Sequence, residues 1–175
     1  SQFKSTYTKI AKTLRENYYS EYADAAESRI VSLENELLAR QKYESSIVEC
    51  EKDLALGSTV TKYGEREDLN NKLKSWCAFI EGANDLPETV ATPLKNRLLE
   101  AITKIELRMK GCINDCQNVL DSIEKASSVS DLKLLENKLQ QLLTQQLPSD
   151  LENNVIKAKE DINSSLEYIE SLPRD

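Results

Sequence analysis

The chain has 175 residues, 39% apolar and 30% charged, with four Gly, four Pro and no His. That length supports a hydrophobic core, while the scarcity of Gly and Pro and an aromatic content of 6% argue against a turn-rich β protein. The net charge of −7 divides as −2 over 1–60, −1 over 61–129 and −4 over 130–175, so no segment offers the basic face that nucleic acid or an anionic membrane requires.

Apolar residues in the opening stretch recur at Phe3, Tyr7, Ile10, Leu14, Tyr18, Tyr22 and Ala25, then Ile30, Leu33, Leu37, Ile47, Cys50 and Leu54. Steps of mostly three and four predict one long helix from about 3 to 56, with room for a break near 40 where Gln41 and Tyr43 interrupt the stripe. Unbroken, it would be roughly 80 Å long at ~1.5 Å per residue, which implies an elongated molecule or a bent helix. Gly57 reads as a left-handed C-terminal cap.

A second helix carries Leu69, Leu73, Trp76, Ile80 and Ala83 and closes at Gly82 and Asn84. The third, about 88 to 126, starts at Leu86-Pro87 or Thr92-Pro93, since Pro is favoured in a first turn. Two stripes on it (Leu94, Leu98, Ala101, Ile105, Cys112, Cys116, Val119, Ile123; and Ile102, Met109, Ile113, Leu120) make a face wide enough for more than one neighbour. Gly111 within it suggests a kink or a close crossing. A fourth helix, about 130 to 146, repeats Leu at 132, 135, 139 and 142 behind an N-cap at Ser130. The fifth, about 149 to 172, opens with a Ser149-x-x-Glu152 capping box and carries Leu151, Val155, Ala158, Ile162, Leu166 and Ile169.

The expected fold is all-α, an elongated antiparallel bundle or rod of about five helices in the order long, short, long, short, medium. Its parts are a long N-terminal helix over 1–60, a short-plus-long pair over 61–129 and a short-plus-medium pair over 130–175. Val60 and Val129 precede the short helices, and Leu86-Pro87 and Leu147-Pro148 follow them, at offsets that mark a degenerate repeat. In plan such a rod resembles spectrin-type rods or α-solenoids, although no residue motif carries either assignment.

Lack of His removes the commonest general base and the commonest metal ligand. Cys112 and Cys116 share a helix face but find only the solitary Cys50 and Cys77 as further thiols, so all four read as core residues in a reducing, cytoplasmic setting. Gly57-Ser58-Thr59 lacks the upstream Gly and the Lys of a phosphate loop. Alternate acids such as Glu49, Glu51 and Asp53 splay around a helix, and five acid-to-base i,i+4 pairs (Glu36-Arg40, Asp68-Lys72, Glu100-Lys104, Glu106-Lys110, Asp121-Lys125) describe solvated faces. No catalytic, cofactor or metal residue is expected. The longest apolar run, Trp76 to Ile80, is far short of a membrane span, and no signal-peptide core is present near the start.

Five of the seven tyrosines (Tyr7, Tyr18, Tyr19, Tyr22, Tyr43) fall in the first 43 residues. A Tyr ring buries area while its hydroxyl stays wet, which suits an interface. Phe3, Tyr7, Ile10, Leu14, Tyr18 and Tyr22 therefore form the candidate interface, either docked on another chain or folded back where the first helix breaks. The reading is a non-catalytic helical scaffold or protein-interaction segment of a longer polypeptide, with a protein partner or a second copy at that stripe. The alternative is a helical arm of a large multidomain enzyme such as an ATP-driven machine.

Overall fold

The computed structural model describes residues 2–17 and 19–173. They form an all-α fold with no strand among the described residues. The helices are α1 (Gln2–Glu16), α2 (Ser20–Leu56), α3 (Tyr63–Gly82), α4 (Glu88–Ser122), α5 (Val129–Leu142) and α6 (Ser149–Ser171), with 3-10 turns at Ile123–Lys125 and Leu143–Gln145. The order of the last four follows the periodicity. The first long helix does not: it is two helices, parted between Glu16 and Ser20, and α2 runs unbroken through 40.

Local chemistry explains the break. Asn17 turns its side-chain Nδ2 back to the Thr13 carbonyl at 2.7 Å, and the Tyr19 N–H closes on Leu14 O at 2.8 Å. Those bonds satisfy carbonyls that a continuing helix would have used, the usual way a helix C-terminus is closed. The chain then reverses. Lys4 pairs with Glu34 at 2.8 Å, and Arg15 pairs with both Asp24 and Glu27 at 2.8 Å, so α1 lies antiparallel along the first part of α2. These exposed pairs fix the alignment more than they add stability, each contributing about 0–1 kcal/mol.

Several expected caps move. No glycine has a positive φ among the described residues; Gly57 ends α2 in a tight turn, its N–H on Leu54 O at 3.2 Å. α4 starts behind Pro87, whose carbonyl takes the N–H groups of Val90 and Ala91 at 2.9 Å, and Pro93 sits inside the helix. Ser128, not Ser130, is the N-cap of α5: its Oγ accepts the Asp131 N–H at 3.1 Å, while the Asp131 carboxylate accepts the Ser127 N–H at 3.1 Å. Ser128 wins because Asp131 stands three residues on, where it can answer the cap reciprocally. The α6 box does not form; Pro148 is the N-cap and makes no side-chain bond. At α3, Glu65 accepts the N–H groups of Thr61 and Lys62 at 3.2 Å. Both short helices thus open with a carboxylate that closes the backbone four residues earlier. A Cβ on Gly111 would meet nothing within 4 Å, so that glycine marks no close crossing.

The chain divides into two compact units, each described by itself. The first comprises residues 1–52 and 76–98. Its core holds Ala11, Ala23, Ile30, Ala39, Cys50, Ile80, Leu86, Val90, Leu94 and Leu98. On the inner faces of α1 and α2, alanines stand beside Ile30 and Cys50 of the counted stripe: Ala11 is 2% and Ala23 0% exposed. Beyond the break the counted stripe keeps Ile30 and Cys50 inside but leaves Ala25 and Leu37 exposed, while Ala23 and Ala39 are buried. The Arg97 guanidinium grips the Glu51 carboxylate with two bonds of 2.6 and 2.7 Å, tying α4 to α2, and holds that carboxyl below the usual carboxylate range.

The second unit comprises residues 53–75 and 99–175. Its principal cluster is Tyr63, Cys116, Leu135, Leu139, Leu147, Leu151, Val155, Ile162 and Leu166. Leu139 and Val155 are fully enclosed. Glu106 bonds across to α3, to Lys74 at 2.7 Å and Asn70 at 3.2 Å, rather than along its own helix to Lys110. Of the five i,i+4 pairs, Glu36-Arg40 and Glu100-Lys104 form. Gly64, in the first turn of α3, lies directly against Gln146, which takes a left-handed backbone at φ 58°.

Candidate functional site

The candidate interface residues divide by exposure. Phe3, Tyr7 and Leu14 are half-buried. Ile10 is 45% and Tyr22 65% exposed, and Tyr18 lies outside the described residues. Tyr19 is exposed too, its ring edge-on to Tyr22 at 6.0 Å between centroids. Val31 and Leu38, one heptad apart on α2 and hence on one side of it, also face solvent. The hairpin therefore half-covers Phe3, Tyr7 and Leu14 and leaves Ile10 and Tyr22 in water.

Tyr43 has a different place. Its ring meets Phe79 edge-on at 5.8 Å, Phe79 meets Trp76 at 5.6 Å, and its hydroxyl donates to Asp85, which also pairs with Lys42. Lys42 first, then Tyr43, holds the Asp85 carboxyl below its ordinary range. This tyrosine packs inside the fold, against α3.

The thiols behave as packing groups. Cys50 and Cys116 are buried, Cys77 and Cys112 half-buried. Burial pushes the Cys77, Cys112 and Cys116 thiols up. Among the described residues no three of Cys, Asp and Glu gather where a metal ion could be held.

A further constellation lies in the second unit. Arg66 on α3, Arg108 on α4 and Lys138 on α5 line one open groove of about 470 Å³, together with Thr61, Asp115, Gln141 and Gln145. Its apolar part is Cys112, Val119 and Leu142. None of the three cations forms an ion pair among the described residues, whereas Lys74, Lys95, Arg97 and Lys104 all do. The Arg66 Nε is buried and has no hydrogen-bond acceptor among the described residues, and a desolvated donor without a partner is costly. Charge summed along the chain conceals this groove, because its three cations come from three helices separated by acidic residues. A helix-face projection would have placed Arg108 and Asp115 a heptad apart on one side of α4, but nothing local brings α3 and α5 alongside.

No helix among the described residues is long and apolar enough to cross a membrane. Comparison with protein-family models, with curated proteins and with solved structures finds no match to this chain.

Proposed function

We propose that this chain is a non-catalytic helical scaffold that associates with protein, in the first instance a second copy of itself, through the α1–α2 hairpin. The observation that carries the reading is the exposure of Ile10 on α1 and of Tyr22, Val31 and Leu38 on α2, with Tyr19 between the two helices. Large apolar and tyrosine side chains left in water favour association when another surface can bury them. The acidic charge supports a protein partner over nucleic acid. Thiols packed as core residues support a reducing compartment, the cytoplasm.

Sedimentation equilibrium of the intact chain tests this. The expected result is a concentration-dependent dimer that disappears in the double variant Ile10→Lys, Tyr22→Lys, with circular dichroism unchanged. A wild-type chain that stays monomeric at the highest soluble concentration would remove the hairpin as the docking face.

A further inference from the structure

The groove of the second unit carries an inference independent of the hairpin. We propose that it binds an acidic peptide segment of a partner protein, one that sets carboxylates beside an aliphatic side chain. Arg66, Arg108 and Lys138 line the groove and form no ion pair among the described residues, on a chain whose net charge is −7. A local reversal of sign in an acidic protein is a recognition feature, because it attracts opposite charge. The Arg66 Nε is buried without an acceptor among the described residues, and a carboxylate beside the guanidinium offsets that cost through charge-assisted bonds.

The rest of the lining selects among anions. Asp115 stands in the same wall as the cations, which disfavours a compact multiply charged group such as phosphate and provides an acceptor for a peptide N–H. Val119 and Leu142 form an apolar surface that a bare ion leaves unused and an aliphatic side chain covers. Cations, one acceptor and an apolar floor together match a peptide that alternates charge and hydrocarbon.

The test uses the full chain and a fluorescein-labelled peptide of Glu and Leu, followed by anisotropy, with a Gln-for-Glu peptide as the neutral control. The acidic peptide should bind, weakening as ionic strength rises, and the neutral one should not. Arg108→Gln and Lys138→Gln should each weaken binding about tenfold. Both side chains are exposed, so the variants keep their fold, and Lys133→Gln on an outer face of α5 should bind as the wild type does. Equal binding by wild type and both groove variants, or no binding by the wild type, overturns the proposal. Displacement of the peptide by inorganic phosphate at matched concentration also overturns it, by reassigning the groove to small anions. Repeating the titration with the Ile10→Lys, Tyr22→Lys variant should leave the affinity unchanged, which separates this result from the fate of the hairpin.

Discussion

Gly64→Ala adds a single methyl group to the first turn of α3, and its consequence follows from the geometry. A Cβ at 64 would stand 2.6 Å from the Gln146 Cβ and 3.2 Å from the Gln146 carbonyl oxygen. Carbon atoms pack best near ~3.5–4.0 Å, so the first contact overlaps by about 1 Å. Overpacking of this kind costs roughly 1–3 kcal/mol, and the better helix propensity of Ala offsets up to about 1 kcal/mol of it. The net expectation is a loss of about 1–2 kcal/mol, or about 2–8 °C in a chain of this size. Gln146→Gly removes the offending side chain. It also relieves the left-handed backbone at φ 58°, worth ~1–2 kcal/mol for a non-glycine residue, against ~0.5–1 kcal/mol of added unfolded-state freedom. That substitution alone should therefore be near neutral. The double variant should recover to within about 0.5 kcal/mol of the wild type, because only the 3.2 Å approach to the carbonyl remains. Urea unfolding followed at 222 nm measures all three. Gly64→Ala indistinguishable from wild type, or a double variant no better than Gly64→Ala, would refute the packing argument.

Leu98→Ala, Ile105→Ala and Leu139→Ala should each cost about 2–5 kcal/mol, since all three are enclosed; Val119→Ala, at a half-buried site, should cost less than any of them, and a ranking that puts Val119 first would show the faces of α4 are misassigned. The Asp131 carboxyl is held below its usual range chiefly by the Ser127 N–H and then by Ser128, so its contribution is present above the unfolded carboxylate range and is lost as pH falls through the folded value. Asp131→Asn should accordingly flatten the acid limb of a plot of urea midpoint against pH, and an unchanged limb contradicts the cap. Burial raises the Cys77, Cys112 and Cys116 thiols, so at neutral pH iodoacetamide should label the native chain slowly and the urea-unfolded chain quickly; rapid native labelling at Cys116 would show that α4 opens.

Helical class, the approximate extents of α4 to α6 and most of the large core residues were legible because they depend on local periodicity. A repeat of 3.6 residues determines which side chains share a face, whatever that face meets. Leu69, Leu73, Leu98, Leu135, Leu139, Val155 and Ile162 fall where their spacing puts them. Caps were legible only as candidates: Ser128 and Ser130 are chemically equal, and the position of Asp131 decides between them. The turn at Asn17 had a signal in Asn17 and Ser20, but a continuous apolar count ran over it. Whether an apolar stripe is buried depends on what lies opposite, so the hairpin that half-covers Tyr7 and exposes Tyr22 exists only in the folded chain. The requirement for glycine at 64 comes from Gln146, and the cationic groove comes from α3, α4 and α5 meeting side by side. Periodicity along one helix contains its faces; which faces meet is decided only when the helices pack.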